Sequence, residues 1–171
     1  MKTYLIIDAY NIINQWSSLK GIAAYSLEDA RIKLIAIIQN YSNIKNYYFI
    51  IVFDAYNISD TIKEEKLDNG SVIYTHKNQT ADSYIEKLVY DLPTVYEINV
   101  ATSDFMLQRM VLGLGANRIS ALELENEVEQ ITKVFMNKTK ENYNREKNNL
   151  EKYIDAKTMC KLEKLRKGQA E

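Results

Sequence analysis

The sequence predicts an α/β protein built on a mainly parallel sheet with helices on both faces. Three observations carry this. The run Tyr48-Phe49-Ile50-Ile51-Val52-Phe53 is aromatic or aliphatic at every position, which suits a strand covered on both sides. Such runs alternate with segments whose apolar residues recur at helical spacing, the pattern of strand–helix units joined by right-handed crossovers. The pentapeptide Asp8-Ala9-Tyr10-Asn11-Ile12 returns as Asp54-Ala55-Tyr56-Asn57-Ile58, each copy behind an apolar run, so two strands release an acid at the same end.

Taken in order, Tyr4 to Ile7 forms the first strand and Asp8 ends it. Asn11 to Tyr25 reads as irregular. Ser26 caps a helix on which Leu27, Ala30, Leu34, Ile37, Ile38 and Tyr41 share a face, and Asp29 stands three residues after the cap, close to a capping box. Tyr48 to Phe53 is the second strand. Ser59 to Gly70 is charged and turn-like, and Ser71 to Thr75 is a third, shorter strand. Thr80 caps a second helix with Ala81, Ile85, Leu88, Val89 and Leu92 on one face. Glu97 to Ala101 is the fourth strand. Phe105 to Leu112 is a helix that ends in Gly113-Leu114-Gly115, a C-cap and turn. Arg118-Ile119 is a short fifth strand. Ser120 starts a longer helix with Leu122, Leu124, Val128, Ile131 and Phe135 inward. Lys138 to Asn149 is almost wholly polar and reads as a linker, a loop or a solvated helix, and Leu150 to Lys167 as a terminal helix. The expected organisation is an α/β domain over 1–137 and a basic, helical C-terminal extension over 138–171, packed on the domain or tethered to it.

Composition narrows the function. The 171 residues can bury a sizeable core. The single cysteine, Cys160, leaves no intrachain disulfide. The first residues carry no signal-like apolar segment, and no apolar run reaches the length of a membrane span. The expectation is a soluble, cytoplasmic protein with no membrane partner. Five glycines, none in a Walker A or GxGxxG arrangement, exclude those nucleotide-binding loops, and no organic cofactor is expected. Charge is uneven: residues 1–132 hold 11 basic and 17 acidic residues, and 133–171 hold 11 and 6. A chain that grips nucleic acid unaided usually shows a strong basic surface, and here only the tail offers one.

In a parallel α/β sheet, ligands bind outside the carboxyl ends of the strands. Asp8 ends strand one, Asp54 ends strand two, Asp82 lies in the first turn after Thr80, and Asp104 follows strand four. Carboxylates gathered there either hold protons or hold cations. Oxygen ligands without His or Cys suit Mg²⁺ or Mn²⁺, which can activate water and stabilise charge on a phosphodiester. Plainer readings stand beside this one: Asp82 favours a helix dipole and Asp104 can be an N-cap. Asn11 is either a turn residue or a partner of Asp8 or a phosphate. Thr102 and Ser103 offer hydroxyls that either orient Asp104 or cap a helix. His76, the lone histidine, reads as a surface residue, and Cys160 has no nucleophilic setting. Of the 13 tyrosines, Tyr10 and Tyr56 at the predicted edge are the candidate RNA contacts.

The motifs Ile7-Asp8-Ala9-Tyr10-Asn11, Val52-Phe53-Asp54-Ala55, Thr80-Ala81-Asp82 and Ala101-Thr102-Ser103-Asp104 resemble the NYN nuclease domain of the PIN-like superfamily. Gly115-Ala116-Asn117-Arg118-Ile119-Ser120-Ala121 with Glu123-Leu124 resembles the YacP-like bacterial branch, and the likeness runs over nearly the whole chain. It implies a PIN-like three-layer α/β/α sandwich and a metal-dependent endoribonuclease using Mg²⁺ or Mn²⁺. It also implies Asp8, Asp82 and Asp104 as catalytic metal ligands and Asp54 as a further acid of the metal site. Asn11 and Ser103 support that site, and Asn57 has no counterpart in the family pattern. The implied partners are RNA, in particular mRNA, and the ribosome, which would present the substrate to a protein of near-neutral charge.

Three other readings compete. Asp8 and Asp54 at successive strand ends are reminiscent of a phospho-acceptor receiver module. However, Ala9 stands where a second acid belongs, and no lysine follows the last strand. A haloacid-type phosphatase would need an acid at Tyr10. A non-catalytic RNA- or ribosome-binding adaptor would not need four retained acids.

Overall fold

A computed structural model describes residues 2–54, 62–93 and 95–153, with side chains as far as residue 138. The chain divides into two compact units, 1–131 and 132–171. The first is a six-stranded sheet between helices. In chain order it comprises β1 (Thr3–Asp8), α1 (Ala9–Gln15), α2 (Ser17–Ala23), α3 (Leu27–Lys45), β2 (Tyr48–Phe53), β3 (Lys63–Leu67) and β4 (Gly70–Tyr74). There follow α4 (Ala81–Asp91), β5 (Glu97–Ala101), α5 (Phe105–Gly113), β6 (Asn117–Ile119) and the start of α6 (Ala121–Tyr153). The second unit is helical as far as Tyr153. No helix among the described residues is long and apolar enough to cross a membrane.

The strand order is β3-β4-β2-β1-β5-β6. All pairs are parallel except β3 with β4. With the antiparallel β3 set aside, the parallel strands run 3-2-1-4-5 in chain order, not the 2-1-3-4-5 of the flavodoxin-like fold to which receivers belong. The receiver reading is therefore excluded by topology.

Strand period two sorts the core into two layers. Leu5, Ile7, Phe49, Ile51, Phe53 and Val72 face α1, α2, α3 and the first turns of α6, meeting Ile12, Trp16, Leu34, Tyr41 and Leu124. Tyr4, Ile6, Ile50, Val52, Ile73 and Val100 face α4 and α5, meeting Ile85, Val89, Leu107 and Val111. This is the expected α/β/α sandwich.

Caps set the helix ends. Ser26 and Thr80 accept from Asp29 and Ser83 N–H, as their positions predict. At the end of α5 Gly115 takes φ +87°, and Gly115 and Ala116 donate to the Leu112 and Val111 carbonyls at 3.0 Å each. This is a Schellman closure, which a left-handed glycine makes without strain.

Several expectations need correction. Residues 11–25 are mostly helical, not irregular: Asp8 caps α1, α2 follows after a break at Trp16, and Ile12, Ile13, Trp16 and Leu19 are buried. Two seven-residue helices have little stability of their own, so burial holds them. Within the turn-like stretch 59–70, Lys63–Leu67 is an edge strand whose charged side chains hide the alternation of a strand. On α6, Leu124 and Val128 are inward as expected and Ile131 packs against the core, whereas Leu122 and Phe135 are exposed. The polar stretch 138–149 belongs to α6, so of the three readings offered for it the helix is found. The terminal helix expected over 150–167 lies outside the described residues beyond Tyr153.

Candidate metal-binding edge

The parallel register aligns the strand ends. Asp8 pairs with Val52, Ile7 with Ala101, and Phe53 with Tyr74. The residues that follow these strands, Asp54 and Thr102-Ser103-Asp104, therefore emerge on one edge with Asp8, and the first turn of α4 brings Asp82 there.

Asp8 is the buried member. Its Oδ2 accepts from Thr102 Oγ1 at 2.9 Å and its Oδ1 from Asn11 N–H at 3.4 Å. Burial pushes its carboxyl up to about 6; the negative charges of Asp82 and Asp54 add to this, and the bonds from Thr102 and Asn11 oppose it. Asp82 is raised by partial burial first, then by Asp104 and Asp54. The charges of Asp82 and Asp54 thus reach Asp8, and those of Asp104 and Asp54 reach Asp82. Asp54, exposed, accepts from the backbone N–H of Ala81 at the start of α4, next to Asp82. Asp104 is the N-cap of α5, its Oδ1 accepting from Leu107 N–H at 2.8 Å.

One loop ties these parts together. Thr102, fully buried, donates to Asp8 and accepts from Asp104 N–H at 3.1 Å. Its hydroxyl thus orients Asp8 rather than the Asp104 carboxylate. Asn11 Oδ1 accepts from Ser103 N–H at 2.7 Å. The Ser103 hydroxyl accepts from Ala121 N–H at 3.1 Å, so it serves the start of α6 and not Asp104. Tyr10 is half-buried: its hydroxyl accepts from Arg31, and its ring packs edge-on to Phe53 at 5.4 Å. Tyr56 and Asn57 lie outside the described residues, as does Cys160. His76 is partly exposed, its Nδ1 accepting from Asn78 N–H.

Three contributors do not stand out in the sequence. Gln108 donates to the Thr102 carbonyl at 2.7 Å. Trp16 Nε1 donates to the Ala121 carbonyl at 2.7 Å. Arg31 lies over Tyr10. Of these, Gln108 leaves a signal, since it sits one helical turn after Asp104.

Among the described residues, no three His, Cys, Asp or Glu side chains converge closely enough to enclose a metal ion. The donor set nevertheless fits a hard cation. It is all oxygen, it carries mutually repelling carboxylates, and Mg²⁺ typically keeps several waters while binding one or two carboxylates and a substrate phosphate.

Against known families, the model of the YacP-like NYN domain matches residues 5–167. The chain belongs to the YacP-like NYN family. The uncharacterized protein YacP of Bacillus subtilis (strain 168) is 41% identical to this NYN protein over 128 residues, 74% of this chain and 75% of that one. The crystal structure of Rae1 (YacP) from Bacillus subtilis aligns with a TM-score of 0.72 at 35% identity, covering 98% of this chain and 96% of that one. A mutant form of Rae1 aligns with a TM-score of 0.70 at 38% identity over 81% of each chain. The NYN domain is a nuclease-type fold, and NYN nucleases generally depend on divalent metals.

Proposed function

We propose that this NYN protein is a Mg²⁺- or Mn²⁺-dependent endoribonuclease that cuts mRNA presented by the ribosome. The observation that carries the reading is the shared edge of Asp8, Asp54, Asp82 and Asp104, with Asp8 buried and its carboxyl pushed up by burial and by its neighbours. Such repulsion is relieved by a cation or by a proton. When bound, the ion supplies an activated water and neutralises charge on the phosphoryl oxygens.

The protein's own residues do the positioning. Thr102 and the Asn11 backbone hold the two Asp8 oxygens, leaving the carboxylate fixed in direction. Asn11 and Ser103 fasten the loop that carries Asp104, and Ala81 fastens Asp54 beside Asp82. Asp8, Asp82 and Asp104 are the proposed catalytic ligands, with Asp54 adding charge to the same site. The acidic balance of residues 1–132 supports a presenting partner, since a negative surface does not attract free RNA. The basic extension over 138–171 is the segment suited to contact that partner.

The test is cleavage of free and ribosome-engaged mRNA with Mg²⁺, Mn²⁺ or EDTA. Products with 5′-phosphate and 3′-hydroxyl ends that vanish in Asp8→Asn and Asp82→Asn are expected. Folded variants that cut as well as wild type would sink the proposal. RNA or ribosome binding that persists in EDTA, with no cleavage under any condition, would favour the adaptor reading.

A further inference from the structure

Helix α5 is apolar on more sides than it can bury. Leu107 and Val111 face the core, while Phe105, Met106 and Leu112 are 66%, 67% and 52% exposed. The helix begins directly after Asp104, whose carboxylate caps it, and Gln108 is bonded to the Thr102 carbonyl. The loop that holds the acids therefore also fixes the first two turns of α5. Phe105 stands one residue from an acid of the site. Arg109, one turn further on, places its guanidinium 5.8 Å from the centre of the Phe105 ring.

Three arginines occur within residues 1–131. Arg31 pairs with Glu28 and Arg118 with Glu123, each at 2.9 Å. Among the described residues Arg109 has no carboxylate partner, and its contact is with an exposed ring. We propose that Phe105 and Arg109 form a subsite for single-stranded RNA, with a base stacked on the ring and the adjoining phosphate on the guanidinium. Aromatic faces interleaved with cations are what sequence-tolerant single-strand binding uses. The acidic surround strengthens the case, because a polyanion approaching the acid edge needs a local cation. A protein partner would call on Met106 and Leu112 equally but gives no reason for an unpaired arginine against the ring. The subsite rests on the nuclease reading for its placement, but its binding can be measured without catalysis.

The test is titration of the full-length protein with a labelled single-stranded oligoribonucleotide in EDTA. Phe105→Ala is expected to weaken binding roughly 5- to 100-fold, the usual range for one stacked base, while Phe105→Tyr stays near wild type. Arg109→Ala should weaken binding and reduce the slope of log affinity against log salt by about 0.7, with Arg109→Lys restoring the slope. In Phe105→Trp, RNA should quench the new emission, because the native Trp16 is buried. Unchanged affinity in both alanine variants overturns the subsite. Loss of ribosome co-sedimentation with RNA affinity intact also overturns it and makes the face a protein contact. If wild type cuts RNA but the α5 variants bind as it does, only the subsite fails. If nothing cuts yet Phe105 governs binding, only the nuclease reading fails.

Discussion

The two copies of Asp-Ala-Tyr-Asn-Ile begin alike and end up in different surroundings. Asp8 is 7% exposed and accepts from a buried hydroxyl and a backbone N–H. Asp54 is exposed and accepts from the Ala81 N–H at the start of α4, the helix that Thr80 caps. The difference follows from register. Asp8 is the last residue of β1, level with Val52 and within reach of Thr102 after β5, whereas Asp54 lies beyond the end of β2, two positions further out. Identical local sequence thus yields a buried carboxylate repelled by its neighbours in one copy and a solvated hydrogen-bond acceptor in the other.

The largest expected contrast is catalytic. Asp8→Asn should lower RNA cleavage by at least about 100-fold, several kcal/mol of lost transition-state stabilisation, while Asp54→Asn should lower it by about 10-fold. Equal losses in a cleavage assay would erase the asymmetry.

Next comes stability without metal, where the two should differ in size. A carboxyl raised from 3.8 to about 6 binds its proton more tightly in the folded state. Its contribution is present below about pH 4 and is lost as pH rises through 6, a change of roughly 3 kcal/mol at about 1.4 kcal/mol per pKa unit. Asp8→Asn should therefore stabilise the metal-free protein at pH 8 by about 1–3 kcal/mol, with little effect at pH 4. Asp54→Ala should change it by less than about 1 kcal/mol, because loss of the bond from Ala81 N–H is opposed by relief of the repulsion on Asp8 and Asp82. Urea melts at the two pH values in EDTA separate these outcomes.

Thr102→Val sharpens the comparison from the Asp8 side. Removing the hydroxyl takes away a bond that lowers the Asp8 carboxyl, so the acidic limb of the cleavage pH profile should move to higher pH. The metal concentration for half-maximal activity should rise about 10-fold, the scale of outer-shell effects. A profile unmoved from wild type would mean that Thr102 does not orient Asp8. The smallest expected effect is Ser103→Ala. It removes one acceptor for Ala121 N–H at the start of α6, and should cost about 1 kcal/mol in a urea melt while leaving the acids in place.

The sheet and its acid edge are legible in the sequence because buried strands write themselves as unbroken apolar runs, and an acid that closes such a run must emerge where the strand leaves the core. The helices α1 and α2 are not legible in this way. Their turns are too short to show a long periodic face, and the capping role of Asp8 is masked by its promise as a ligand. β3 is hidden because an edge strand of Lys and Glu carries no alternation. The links from Thr102 to Asp8 and from Trp16 to Ala121 span 94 and 105 residues, and no local pattern encodes them. Ser103 reads as a site residue, but its bond to the start of α6 depends on where the later helix lands.

The sheet's two margins carry a different consequence. One is β3, five residues whose first four side chains are charged and exposed; the other is β6, only three residues long. An open sheet recruits further strands wherever it offers a long, flat, uncharged border, and neither border here does so. Among the described residues, neither border of the sheet favours end-to-end stacking with a further copy.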